Sequence, residues 1–150
     1  MTTQNDAATG TAYEPSNEMQ IVTAVFAENI DMKPAPGPST QIDLTGIQFS
    51  VAATQPLPAK LTPHLIILVW NPPEGKPMGA LEVQFFNQES RELQARNVQP
   101  LQIEPGKFNY RLVRAELDFD DYGTIVAACR IDAGNIVEVP FTLLAPVGSD

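Results

Sequence analysis

The fold of this chain is decided by the stretch HLIILVW, residues 64–70. A short, continuous apolar run between turn signals is typical of a strand that is buried within a sheet. The turn signals here are prolines, three in residues 55–63 and three in residues 71–77. Proline lacks a ladder donor and breaks helices, so the run starts and stops abruptly. We therefore predict that residues 64–70 form a central strand.

On both sides of this run, the chain continues as apolar stretches separated by turn residues. No helical period extends beyond about two turns, and 14 prolines leave little room for a helix. Candidate strands recur about every 8–15 residues, a spacing typical of an all-β sandwich. We expect a single immunoglobulin-like β-sandwich of about seven to nine strands, with Trp70 as the buried tryptophan of its core.

Two alternating patterns lead to more specific predictions about single strands. The odd-numbered residues of 47–53 are Ile47, Phe49, Val51 and Ala53, which predicts one strand with these side chains in the core. The apolar residues of 108–112 are even-numbered, whereas those of 113–119 are odd-numbered. Such a change of parity favours a β-bulge or a break near Leu112.

The length of 150 residues and a hydrophobic content of 43% indicate one small globular domain. Residues 1–18 contain no Ile, Leu, Val or Phe, so we expect a disordered leader there. The sandwich domain is predicted over residues 19–147, followed by a tail at residues 148–150.

The charge of the chain excludes some classes of partner. With 9 Lys and Arg against 18 Asp and Glu, the formal net charge is −9. Nucleic-acid and anionic membrane surfaces are bound mainly by clustered Lys and Arg, so neither is expected as a partner. The acidic balance points instead to a protein partner with a basic surface, although solubility explains the same charge.

The cellular location is expected to be the cytoplasm. The N-terminal sequence has no basic and apolar signal pattern. The lone cysteine, Cys129, cannot form an intramolecular disulfide and lies in an apolar stretch. We interpret it as a small buried hydrophobe rather than a nucleophile.

Several segments resemble an uncharacterised family of short bacterial β-sandwich proteins. They are the opening strand IVTAVFAEN at residues 21–29, Leu44–Ile47, Tyr122–Gly123, and Asp132–Asn135 before Val139–Phe141. The resemblance implies an immunoglobulin-like fold and brings no catalytic residues. The chain departs from that family in its long leader and in the PAPGP connection, where a short Asp-Gly-Lys type of turn is expected.

The sequence contains little evidence for a catalytic site. His64 is the single histidine and stands in a proline-flanked apolar context, where a structural role is favoured over that of a general base. No nucleophile elbow, phosphate loop, dinucleotide fingerprint or zinc spacing occurs. We expect a non-enzymatic protein with no cofactor.

A calcium site is the alternative hypothesis. Glu116, Asp118, Asp120 and Asp121 supply four carboxylates within six residues, and end loops of β-sandwiches bind calcium through such hard oxygen ligands. Asp118, Asp120 and Asp121 are the proposed ligands, with Asp31 or Asp43 as a second contributor from another loop. The other interpretation is a solvated acidic strand followed by turn-forming aspartates.

Two aromatic residues are candidate interface residues. Phe85 and Phe86 are adjacent in a strand and point to opposite faces, so Phe86 packs under a loop or belongs to an exposed apolar patch. Trp70 is the second candidate, with core burial as its other interpretation. The function expected from the sequence is a non-catalytic interaction or structural subunit. It binds a protein partner or forms a homo-oligomer through a sheet edge or an exposed apolar face.

Overall fold

Two antiparallel β-sheets packed face to face make up most of the molecule. The computed structural model describes residues 12–37 and 39–148. The strands within those residues are β1 (Gln20–Pro34), β2 (Thr40–Gln48), β3 (Ser50–Ala52), β4 (Ala59–Leu61), β5 (His64–Trp70), β6 (Met78–Asn87), β7 (Leu93–Gln102), β8 (Phe108–Arg114), β9 (Leu117–Phe119), β10 (Gly123–Ile131) and β11 (Val137–Leu144).

The first sheet has the strand order β2-β1-β5-β8 and the second has the order β3-β11-β10-β6-β7. All neighbours are antiparallel except β3, which runs parallel to β11. The predicted all-β sandwich is confirmed, and the two large sheets hold nine strands. The short strands β4 and β9 form a small third sheet.

The predicted leader falls largely outside the description. Residues 1–11 lie outside the described residues, while residues 12–18 are exposed and belong to no strand. Of the predicted tail, residue 148 is described and residues 149–150 are not. The boundaries of the domain at residues 19 and 147 stay predictions.

The core lies between the two large sheets. The ring of Phe26 in β1 meets that of Phe141 in β11 edge to face, with ring centroids 5.1 Å apart. Leu65, Ile67 and Val69 of β5 are fully buried in the same core. β5 pairs with β1 on one side and β8 on the other, so the prediction of a central strand at residues 64–70 is confirmed.

β1 is much longer than its apolar pattern indicates. It pairs with β5 only as far as Ala27, and beyond that point it pairs with β2 alone, up to Pro34. Residues 28–34 and 40–46 therefore extend the first sheet as a two-stranded hairpin. Pro34 is tolerated because it ends a strand that has no neighbour on its other side there.

The expectation of one strand with a buried face over residues 47–53 is wrong for Ile47 and Phe49, whereas Val51 and Ala53 lie at the core as predicted. The side chains of Ile47 and Phe49 are 53% and 67% exposed. β2 ends at Gln48 in the first sheet, and β3 begins at Ser50 in the second, with the Thr142 amide donating to the Phe49 carbonyl at the crossing. A chain that changes sheets does not keep a single buried face.

The expected bulge or break near Leu112 is also wrong. β8 keeps one continuous register against β5 from Phe108 to Arg114. Odd-numbered residues from Val113 to Phe119 are buried in the core, whereas Phe108 and Leu112 lie on the opposite face. The parity changes because the apolar residues up to Leu112 lie on the outward side of β8, whereas those from Val113 onwards lie in the core, most of them after β8 has ended.

Asn71 joins the two loops at the far end of β5 and β8. Its side chain is fully buried, and Nδ2 donates to the carbonyls of Lys76 at 3.0 Å and Ile103 at 2.7 Å. Its amide donates to the Lys107 carbonyl, and its own carbonyl accepts from Gly106. The loop after β5 and the turn before β8 are thereby held together.

We expect Asn71→Ala to lower the free energy of unfolding by about 2–3 kcal/mol, because the buried Ile103 carbonyl and the partly buried Lys76 carbonyl lose their donor. Urea unfolding monitored by circular dichroism measures this change. Asn29→Ala is the matched control, since Asn29 is exposed, and it is expected to change stability little. Equal losses in the two variants would contradict the structural role of Asn71.

Candidate interaction surface

The outward side of the first sheet is apolar. Alternate residues of a strand point to opposite faces, so the core positions Leu65, Ile67 and Val69 require Ile66, Leu68 and Trp70 to point away from the core. The same holds for the neighbouring positions of β1 and β8 by register. We call this surface the outer apolar face; it consists of Val25, Ile66, Leu68, Trp70, Phe108, Tyr110 and Leu112.

These side chains are arranged in three rows across the strands. Val25, Ile66 and Leu112 form one row. Leu68 and Tyr110 form the next row with Thr23, and Trp70 and Phe108 form the third with Gln20. None of the three rows contains a charged residue.

Exposure of the outer apolar face increases from β5 to β8. Ile66 is 1% exposed, whereas Phe108 and Leu112 are 43% and 45% exposed. Contiguous exposed apolar surface on a monomer is typical of an interaction site, whereas single exposed apolar residues are ordinary. The aligned rows make the outer apolar face the candidate site.

The outward side of the second sheet has a different character. Glu82, in the middle of β6, accepts a hydrogen bond from Arg96 Nε, and Arg130 Nη2 lies 3.6 Å from the same carboxylate. The Arg96 guanidinium is the main cause that lowers the pKa of Glu82 below its usual value. At the other end of β10, Thr124 and Thr142 share a hydroxyl hydrogen bond of 2.7 Å. Paired charges and hydroxyls are typical of a solvated face.

The two predicted interface residues lie on opposite sides of the molecule. Phe86 is half-buried on the outward side of the second sheet, in a shallow depression with Val126 and Ile136. Trp70 is half-buried on the outer apolar face of the first sheet. Its interpretation as the central tryptophan of the core is wrong, because β5 directs Val69 inwards and Trp70 outwards. The structure does not bring Phe86 and Trp70 together.

Sequence reasoning missed Phe108, Tyr110 and Leu112. The signal was present in the change of parity along residues 108–119, which we attributed to a bulge. An uninterrupted strand with apolar residues at both parities has two apolar faces. One of these faces is the core, and the other is the candidate site.

One of the three predicted calcium ligands, Asp118, lies beside a cation. Asp118 of β9 pairs in register with Lys60 of β4, and Lys60 Nζ lies 3.9 Å from Asp118 and 3.6 Å from Glu116. The Asp121 carboxylate accepts from the Tyr122 amide. Within residues 12–37 and 39–148, no three His, Cys, Asp or Glu side chains are grouped as possible metal ligands. The geometry thus adds no support for the calcium hypothesis.

We expect millimolar calcium chloride to leave the Tm of the protein unchanged, because Lys60 already interacts with two of the carboxylates. Differential scanning fluorimetry measures the Tm. A rise that disappears in Asp120→Asn and Asp121→Asn would instead establish the calcium site, since a ligand of the folded state stabilises it.

His64 and Cys129, the two residues considered for catalysis, do not form a catalytic arrangement. His64 pairs across the sheet with Ala27 and Arg114, neither of which is a carboxylate that could orient an imidazole. Cys129 is fully buried in the core, as predicted. Burial raises the pKa of its thiol from 9.0 to about 12.

Two comparisons with known proteins tested whether the chain belongs to a known family. A scan against protein-family models found no match, and a search of curated proteins found no similar sequence. The resemblance to short bacterial β-sandwich proteins therefore stays a prediction. In the part of the chain that is described, there is no helix of the length and apolarity needed to cross a membrane.

We expect Cys129 to react with a thiol reagent such as DTNB only after unfolding, because the folded thiol is buried and protonated. Its raised pKa has a second consequence. The stability linked to this thiol is fully present below pH 9.0 and decreases as the pH rises from 9.0 towards about 12. Absorbance during titration with guanidinium measures the reaction, and rapid labelling of the folded protein would contradict the burial.

Proposed function

We propose that this protein is a non-catalytic interaction subunit that binds a protein partner through the outer apolar face. The observation that carries this proposal is the contrast between the two outward sides of the sandwich. On the first sheet, aliphatic and aromatic side chains form three adjacent rows without a charged residue, whereas on the second sheet apolar residues such as Phe86 and Val126 share the surface with the ion pairs of Glu82. A stable contact requires a desolvated apolar centre, which the three uncharged rows of the first sheet offer.

The aromatic residues Trp70, Phe108 and Tyr110 suit such a contact. Tyrosine and tryptophan dominate the binding energy of many interfaces, because they bury a large area at a low cost in conformational entropy. All three lie in neighbouring positions of β5 and β8. Strand positions also hold side chains more firmly than loops do, which lowers the entropy lost on binding.

We also propose that the fold is immunoglobulin-like and that the protein is cytoplasmic. An immunoglobulin-like arrangement is supported by the order of β7, β6, β10 and β11, which matches the C′-C-F-G order of such domains, and by the pairing of β5 with β8, which matches B with E. A cytoplasmic location is supported by the single cysteine, which is free and buried.

We expect Leu112→Asn to abolish the complex with the partner, because the substitution places an amide in the apolar centre of the contact without changing the charge. Affinity purification of the tagged protein from native lysate, with mass spectrometry and light scattering, measures partner and assembly size. Leu144→Asn is the matched control, since Leu144 is 48% exposed on β11 and Leu112 is 45% exposed on β8.

Both variants are expected to keep the circular dichroism spectrum of the original protein. A wild-type protein that is monomeric and co-purifies with nothing contradicts the proposal. So does a complex that survives Leu112→Asn as well as it survives Leu144→Asn.

A further inference from the structure

The outer apolar face ends at β8, an edge strand that pairs with β5 alone among the described strands and leaves its other side open. The Asn71 amide donates to the Lys107 carbonyl, and the Ala115 amide donates to the Pro63 carbonyl, at 2.9 and 3.0 Å. In an antiparallel ladder, every second residue bonds to the same neighbour. Odd-numbered residues therefore face β5, so the even-numbered residues from 108 to 114 direct their amides and carbonyls towards the open side.

The open side of β8 is basic, although the protein as a whole is acidic. Residues 105–115 contain Lys107, Arg111 and Arg114 and no Asp or Glu. None of these three cations has a carboxylate within the 4.0 Å of an ion pair, whereas Lys33, Lys60, Arg96 and Arg130 all do. The apolar surface thus borders a strip of cations that are not neutralised within the described part of the chain.

Two side chains occupy the main-chain groups at the middle of this edge. The Asn109 carboxamide oxygen accepts from the Tyr110 amide at 2.8 Å, and Arg111 Nη1 donates to the Tyr110 carbonyl at 2.9 Å. Both are local bonds between adjacent residues, of the kind that compete with a sheet ladder. These two bonds can be exchanged for ladder bonds to an added strand. The bond from Arg111 also places its guanidinium beside the open edge.

We propose that β8 receives an extended acidic segment of the partner protein, which adds to the first sheet as a further strand. Its apolar side chains continue the rows that end at Phe108, Tyr110 and Leu112, and the carboxylates at the alternate positions lie on the other side of the sheet, where they pair with Arg111. Arg114 lies on the same side as the apolar rows and adds positive charge beside the segment. Main-chain hydrogen bonds supply affinity in this mode of recognition, and alternate side chains supply specificity. This inference rests on the proposed function and names the chemistry of the partner.

An acidic segment fits the open edge of β8 better than a second copy of β8 or a nucleic acid does. A second copy of β8, paired antiparallel about Arg111, would place like charges directly opposite each other, which destabilises a sheet. A nucleic acid has no peptide backbone that could complete the ladder of β8. The composition suggested a partner with a basic surface, whereas the basic strip of β8 selects an acidic one.

The test uses a fluorescein-labelled peptide of the length of β8 with alternating valine and glutamate. Its counterpart has lysine in place of glutamate, and a single-stranded oligonucleotide is the third probe. We expect the glutamate peptide alone to bind in fluorescence anisotropy, with an affinity that falls as salt is added. Hydrogen exchange by NMR is expected to show new protection of the Leu112 and Arg114 amides.

The double variant Arg111→Glu, Arg114→Glu is expected to weaken binding of the glutamate peptide by on the order of tenfold or more. Arg91→Glu is the control, because Arg91 is an exposed cation without a carboxylate partner in the turn between β6 and β7. Equal binding of the glutamate and lysine peptides overturns the inference, as does an equal effect of the two charge reversals. Tighter binding of the oligonucleotide overturns it in favour of a nucleic-acid surface.

The same charge variants separate this inference from the proposed function. If the complex from lysate is lost in Leu112→Asn but kept in Arg111→Glu, Arg114→Glu, the outer apolar face binds a partner and the acidic strand is wrong. If Leu112→Asn has no effect on the complex, the proposed function itself fails.

Discussion

The burial of one face of each sheet against the other is the constraint on which the remaining structure depends. Phe26 and Phe141 meet across the two sheets, and the alternate positions of β5 fill the space beside them. Because side chains alternate along a strand, the choice of inward residues also decides the outward ones. A slip of one residue would exchange the two faces, so the core specifies the register strongly.

This constraint produces the outer apolar face. β5 is apolar at every position from Leu65 to Trp70, so burying Leu65, Ile67 and Val69 leaves Ile66, Leu68 and Trp70 on the outside. β8 continues this surface to an open edge, and Asn71 holds the loops at one end of both strands. A rigid apolar sheet with an accessible edge is well suited to recognition, because little order has to be gained on binding.

Much of the fold was accessible from local pattern, and much of the candidate site was not. The central strand at residues 64–70 follows from a run whose character is unambiguous. The buried Cys129 follows from its apolar neighbours in the same way. The prediction of a buried Phe49 and the prediction of a bulge or break near Leu112 were wrong. Alternation shows that a strand has two faces, but it does not show which sheet covers each face. The sheet change at residue 49 depends on a contact with Thr142, which lies far away in the sequence.

The sequence by itself determined the all-β class, the positions of most turns, the acidic net charge and the apolar character of β5. These properties follow from nearest neighbours along the chain, such as proline before and after a strand. The tertiary structure alone decided that Trp70 faces outwards, that Phe86 lies on the opposite side of the sandwich, and that Arg111 and Arg114 lie on an open edge. Such facts depend on which strands pair, and strand pairing is set by contacts between residues distant in the chain.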